Sequence, residues 1–566
     1  MSKINHRAYI ISIVAGLAMS FSFYARSLFD SNSALEFAFI LKFVLRALFF
    51  AACICGLLLL SRRTASDTGF QSPITSYFSM RPKNIFILSA LMILIWIPII
   101  RSMYPFHMGA DTIAQLLWGQ GYQAFDPSSK QILDGFSMSD HHPFLDTLIY
   151  TAFYKLGLLF SNETLGITIL CYLTAIFTAF TFSTSCCWLY SHKAPFSLCI
   201  GAYLFWCLNP IISMTTQGLV KDMTSMPFFI LWLLLFLDCA LSNGSQINKP
   251  FIRFLNLGLL TLLCSLTRKT LFYVCIPSSI FLSIYLLNCF RKSNVDGCSK
   301  RSIIKIPAIS TLSWLLPSLI YLMIIPSFVY PALKIAPGGV QETLSVPIQQ
   351  VSSVVVNHID ELSSSELETI SNVLPISEIG SIYSPDSADP VKDSWNRSAS
   401  REDTISFLKL WMKLGLRYPM DYLTSIQYIG RFWTFGDFAG DNPGVWWGWS
   451  EIGGGMLFPS YAEGTQTLSQ QATYSFLYNV LYSTPILGML FDVAFYTVCI
   501  PITCCSIMIY NKEKLSKVLL NYCPMFLSLC LLCIVAAYQP RYILNLLFCA
   551  PIFLCISFIR ENCNRS

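Results

Sequence analysis

The chain has 566 residues, of which 54% are apolar and only 12% charged, and its net charge is +6. A soluble globular protein carries about 25% charged residues; half that share cannot coat soluble cores over this length, which excludes a cytosolic enzyme, a disordered chain and a nucleic-acid binder. What remains is an all-α polytopic membrane protein, in which a small basic excess sets topology and does not mark a polyanion site.

A spanning helix needs about 20 apolar residues. Taken in order, the first two such runs are 8–25 and 36–60, an N-terminal pair within 1–84. The first follows a basic start, as a secretory signal would, but no A-x-A site follows it, so it reads as an uncleaved helix. Runs at 85–103, 164–190, 195–215, 223–241, 254–267, 271–290 and 303–328 form a central module over 85–328, interrupted by a polar loop at 104–142. A long segment, 329–485, follows, and 486–510, 517–537 and 542–560 close the chain within 486–566. Inside the long segment, SVPIQQVSSVVVNHI and DTISFLKLWMKLGLRY have helical apolar spacing, whereas 361–400, rich in Ser, Asp and Glu, reads as a surface loop. With Trp433, Trp446, Trp447 and Trp449 the segment is too aromatic for a free linker and reads as a small α-rich extracytoplasmic domain.

The apolar stretch 143–160 is ambiguous, and charge bookkeeping decides it. Basic residues of short loops collect on the cytoplasmic side. If 143–160 does not cross, Lys3 and Arg7, then Arg62, Arg63, Arg81 and Lys83, then Lys193, Lys249 and Arg253, then Arg291, Lys292, Lys300 and Arg301, then Lys512, Lys514 and Lys517, and finally Arg560 and Arg565 all fall inside. If it crosses, every later loop inverts and the pattern breaks. PFLDTLIYTAFYKLGLLF is also amphipathic, with Asp146 and Lys155, as an interfacial helix is. The expectation is therefore twelve spans, both termini cytoplasmic, and the loops 104–142 and 329–485 outside.

The 21 cysteines lack paired C-x-x-C spacing and mostly lie in apolar runs, as do Cys186, Cys187, Cys504 and Cys505, so they read as small buried residues. There is no internal repeat, no G-x-x-x-x-G-K-[ST] loop, no Rossmann glycine set and no G-x-S-x-G elbow.

Ionisable groups at membrane depth are costly and mark sites. Four clusters fall at the expected outer ends of spans. Asp111, in YPFHMGADT, can act as a general base toward a hydroxyl or can cap the helix that starts at Thr112. Asp140, His141 and His142, just before Pro143, can bind phosphate, pyrophosphate or a metal. Lys221 and Asp222 form either a local ion pair or one wall of a cavity. Arg268, Lys269 and Arg541 are cations on the side where the charge rule disfavours them, so something anionic must compensate. Asp111, Asp140 and Asp222 can do so as a structural network, or a lipid phosphate can, since Arg offers a planar donor fork and Lys a point charge. Together these groups suit transfer of a group from a membrane-borne phosphate donor.

The ordered set Tyr104-Pro105, Asp111-Thr112 and Gln115; Ser139, His141, His142 and Pro143; Lys221-Asp222; Ser345, Pro347, Gln349 and Gln350; and Arg541-Tyr542 resembles the GT-C superfamily of membrane glycosyltransferases. It is most similar to an uncharacterised bacterial GT-C-like multi-pass family, over roughly 85–560, the first two spans being additional. The resemblance implies an inverting transferase that uses a polyprenyl-phosphate sugar, with Asp111 as the catalytic base and Asp140 and Asp222 as rivals. It implies donor-phosphate contacts at His141, His142, Lys221, Arg268, Lys269 and Arg541. The acceptor would be an extracytoplasmic glycan, glycolipid or protein, met by Gln349, Gln350, Trp446 and Trp447. Asp111 lacks the acidic neighbour of a common GT-C pattern, since Ala110 and Thr112 flank it, so a divalent metal stays open.

Three other readings compete. A transporter or lipid flippase predicts broken or charged helices and an inverted repeat. An O-antigen-type polymerase or ligase shares the large outer loop, and a non-catalytic scaffold would use the Trp cluster to stack sugars.

Overall fold

The computed structural model describes residues 2–24, 37–63, 73–108, 110–128, 131–242, 247, 249–293, 306–435, 480 and 484–559. The chain is a helical, multi-pass membrane protein. It opens with α1 (Ser2–Ser22) and α2 (Phe37–Arg63), then α3 (Pro82–Ser102). The strand β1 (His107–Met108), α4 (Ala110–Gly119), β2 (Met138–Ser139) and α5 (Phe144–Leu159) follow. Then come α6 (Glu163–Ser191), α7 (Phe196–Leu208), α8 (Pro210–Thr215), β3 (Gly218–Leu219), α9 (Lys221–Leu241), α10 (Pro250–Thr267) and α11 (Lys269–Ser293).

Among the described residues seven helices are long and apolar enough to cross a membrane, the last of the seven being α12 (Ile306–Leu333). An eighth arises if α13 (Leu515–Asn521) and α14 (Cys523–Ile534), bent by 63°, make one span. The expected count of twelve is thus not reached by helix length. The run 195–215 is divided because Pro210 cannot continue the ladder of α7, and Asn209 caps the new start by accepting from Ile211 N at 3.0 Å. The runs at 486–510 and 542–560 yield the shorter helices Phe495–Tyr510 and Pro540–Ile556. The stretch 143–160 becomes α5, whose 16 residues are short of a crossing.

Two buried tryptophans join the helices through their ring N–H groups. Trp96 of α3 donates from Nε1 to Trp206 O at 3.1 Å, and Trp206 of α7 donates to Phe548 O at 2.9 Å. Phe182 of α6 stacks on Trp206 with ring centroids 4.7 Å apart. Elsewhere glycines let backbones touch. A Cβ on Gly166 of α6 would overlap the Phe153 carbonyl oxygen of α5, and one on Gly157 would lie 2.9 Å from Gly166 N. Gly16 of α1 meets the Ala47 carbonyl and Ala51 N of α2 in the same way.

Residues 345–424 form a separate helical core around Ile348, Val351, Val354, Phe407, Leu414 and Tyr418. The expected surface loop at 361–400 is instead helical at Ser364–Ser371, Ile376–Ile382 and Asp389–Asp393. A capping box explains the first of these: Ser363 Oγ accepts from Glu366 N, and the Glu366 carboxylate accepts from Ser363 N. The same device at Ser400 and Asp403 starts the helix Arg401–Arg417. This core is tied to the bundle by Ala388 N donating to Ala536 O and Tyr428 Oη donating to Val535 O.

Two short parallel pairings set the register of everything that follows. β1 pairs with β3, His107 opposite Gly218 and Met108 opposite Leu219. β2 pairs with β4 (Ile335–Ala336), Met138 opposite Ile335.

Candidate functional site

Asp111 is three residues beyond β1 and Lys221 two beyond β3, so the β1–β3 register brings both to adjoining helix starts. Thr112 Oγ1 locks the arrangement by donating to Leu219 O at 2.6 Å. Lys221 Nζ then reaches Asp111 Oδ2 at 2.8 Å, and Arg541 Nη1 reaches the same oxygen at 3.1 Å. Arg541 also faces Asp222 Oδ2 at 3.8 Å, and Arg268 Nε closes the chain on Asp222 Oδ1 at 3.0 Å. The result is an alternating ion network, Lys221–Asp111–Arg541–Asp222–Arg268, with Asp222 and Arg268 almost fully buried. It joins α4, α9, the α10–α11 junction and the first turn of the last helix, Pro540–Ile556.

Asp140 forms a flanking pair with Lys269, 2.8 Å from Nζ to Oδ2, and its backbone oxygen also accepts from the same ammonium. So the cations that charge rules disfavour are balanced by the three carboxylates singled out from the sequence.

The two histidines part company. His142 is buried, and its Nδ1 lies 3.4 Å from Lys221 Nζ. An ammonium only donates, so Nδ1 accepts and a neutral ring carries its proton on Nε2. Burial, reinforced by the Lys221 charge, holds His142 well below its ordinary range, so the ring is neutral at physiological pH. His141 turns away, 3.5 Å from Glu342 and 4.0 Å from Asp126, where Arg397 also meets Asp126 at 3.4 Å. Those contacts fasten the 104–142 segment to the 345–424 core. Among the described residues no group of three or more His, Cys, Asp or Glu side chains is placed to hold a metal ion.

Burial pushes the Asp111 carboxyl up, but the Lys221 and Arg541 charges outweigh it and hold the group well below the usual carboxylate range. In the resting protein Asp111 is an ion, locked by two cations, and a weak proton acceptor.

Several buried polar atoms here have no hydrogen-bond partner among the described residues: His142 Nε2, Arg268 Nη1, Asp222 Oδ2, Gln115 Oε1 and both carboxyl oxygens of Asp146. Native interiors leave few such atoms without an explanation, and these lie beside one ion network. Asp146 escapes a sequence reading that takes it for the polar face of an interfacial helix. The signal available was its position four residues after His142, one helical turn along an otherwise apolar run.

Gln349 and Gln350 are elsewhere. Gln349 Nε2 donates to Ser384 O and Ser425 O, while Gln350 Nε2 donates to Tyr422 O and its Oε1 accepts from Trp411 Nε1 at 2.8 Å. Both amides are buried in the 345–424 core and hold its helices together, which corrects their expected place at an acceptor surface. Trp446, Trp447 and Trp449 lie outside the described residues.

Residues 134–566 match the sequence profile of a family described as a family of unknown function, DUF6020. No curated protein and no solved structure matches the chain.

Proposed function

We propose that the chain, which belongs to the DUF6020 family of unknown function, is a membrane glycosyltransferase that moves a sugar from a polyprenyl-phosphate donor to an extracytoplasmic glycan, glycolipid or protein. The observation that carries the reading is the ion network at Asp111 with unpartnered donors, Arg268 Nη1 and His142 Nε2, buried beside it. Both suit a phosphoryl oxygen. The distribution of loop cations supports an extracytoplasmic site and cytoplasmic termini.

In this reading the donor phosphate draws Lys221 or Arg541 away from Asp111. The carboxylate then loses the charges that hold its proton affinity down and becomes a competent base. The acceptor oxygen bonds to the anomeric carbon as its proton passes to Asp111. The bond from that carbon to the phosphate oxygen breaks, and the phosphate leaves with the electron pair. Arg268 and His142 hold it.

The 63° bend between α13 and α14 favours a second reading, a transporter or lipid flippase, because discontinuous helices are a transporter device. The two separate in proteoliposomes loaded with polyprenyl-phosphate sugars. Sugar transfer to an acceptor supports the transferase. Movement of lipid or solute across the bilayer with no transfer overturns it.

A further inference from the structure

Among the described residues Asp146 is the one carboxyl at the site that has no ion-pair partner. It sits in the first turn of α5, fully buried, and neither oxygen has a hydrogen-bond partner. Lys221 and Asp222 of α9 are the charged groups that act on it, with opposite effect. Both are engaged, Lys221 with Asp111 and Asp222 with Arg268. The other groups around it are neutral. On its own helix, Thr147 Oγ1 accepts from Gln115 Nε2 of α4, and Tyr150 Oη shares a hydrogen bond with Thr224 Oγ1 of α9. His142, four residues back and just before α5, is neutral.

A carboxylate ion in that setting, with no hydrogen bond and no free counter-ion, is strongly disfavoured, and the group keeps its proton instead. Burial raises its proton affinity far above that of an ordinary Asp. A neutral carboxyl carries one O–H donor, which joins His142 Nε2 and Arg268 Nη1 as a third buried donor without a partner. Three such donors call for an acceptor that the chain itself does not supply.

We propose that Asp146 is a ligand contact that stays a neutral carboxylic acid in the resting protein and donates its O–H to a phosphoryl oxygen of the anionic lipid, so that phosphate binding is linked to proton occupancy at this residue. The inference rests on the reading of the site as one that takes a polyprenyl phosphate. Its sign is fixed: binding needs the proton, so affinity falls as pH rises through the Asp146 titration, by up to about tenfold per pH unit.

The test uses the full chain in lipid nanodiscs and a short polyprenyl phosphate as probe, titrated from about pH 6 to about pH 9. The wild type should bind more weakly as pH rises. D146N, an isostere of the neutral acid that keeps a donor and cannot titrate, should bind within about threefold of wild type at the acid end and lose the Asp146-dependent fall. Asp146→Leu, which keeps volume and removes the donor, should bind about tenfold more weakly or worse. Infrared difference spectra should show a protonated-carboxyl C=O band that D146N lacks. An unaltered band, or a D146N pH profile identical to wild type, overturns the inference alone. Absence of wild-type binding at every pH overturns the phosphate-lipid reading beneath it. Competition by inorganic phosphate as strong as by the lipid overturns the lipid as ligand.

Discussion

Asp111 and Lys221 are 110 residues apart in the chain and 2.8 Å apart in space. A two-residue parallel pairing, His107–Met108 against Gly218–Leu219, makes that contact, because it fixes where two helices begin. The Asp111–Lys221 contact is therefore a consequence of backbone register, and the members of the ion network can be tested one at a time.

Asp111→Asn keeps the shape of the side chain and removes its proton acceptor. Sugar transfer should fall by about 10²-fold or more with polyprenyl-phosphate binding retained. Single-turnover transfer and lipid binding on the same preparation check this. Near-normal transfer in Asp111→Asn, with loss in Asp222→Asn or Asp140→Asn, would move the base to that residue.

Asp222 and Arg268 are the most buried pair of the network. Removing one partner leaves an uncompensated charge, so Asp222→Asn or Arg268→Met alone should lower stability by about 3–5 kcal/mol. The double variant should recover part of that loss. Thermal unfolding in detergent measures all three, and additive losses would show that the two side chains do not act as a pair.

Gly166→Ala inserts a methyl group against the Phe153 carbonyl oxygen. The α5–α6 hairpin must open, at a cost of about 1–3 kcal/mol. Because α5 carries Asp146 and follows directly on His142, lipid-phosphate binding should weaken as well. A variant as stable as the parent would mean that the two helices are not held at backbone contact.

Glu366 accepts from the Ser363 amide and pairs with Lys413, and these hold its carboxyl down at about 2. A depressed folded-state value contributes stability that is full above the unfolded value of about 4.3 and is lost as pH falls toward about 2. Amide exchange in Ser364–Ser371 should therefore accelerate between about pH 4 and about pH 2 relative to the intrinsic rate. In Glu366→Gln the exchange should be faster at neutral pH and should lose that acid-dependent step.

The orientation is tested with cysteines at Ser191 and Ser398, both exposed. An impermeant thiol reagent added outside should label Ser398→Cys above the parent background and should reach Ser191→Cys only after permeabilisation. Labelling of Ser191→Cys from outside would invert the topology and remove the extracytoplasmic site.

The sequence by itself determined the solvent of this protein. A charged content of 12% over 566 residues admits only a membrane bundle, and apolar runs mark most of the helices because apolar length is a local property. It also set apart the ionisable groups that lie among apolar residues, since charge there is costly wherever the chain folds. Asp111, Asp140, Asp222, Lys221, Arg268, Lys269 and Arg541 were all legible on that ground.

Only the tertiary structure decided how they pair. The β1–β3 register brings Asp111 to Lys221, and the packing of the remaining elements adds Arg541 to Asp111, pairs Arg268 with Asp222, and places His141 at Glu342 while His142 stays at the site. The structure also moved Gln349 and Gln350 into a helical core and made Asp146 a fully buried, unpaired carboxyl. Those outcomes escape the sequence because burial depends on what packs against a helix face. A lone Asp on an amphipathic stretch looks the same whether water or another helix covers it.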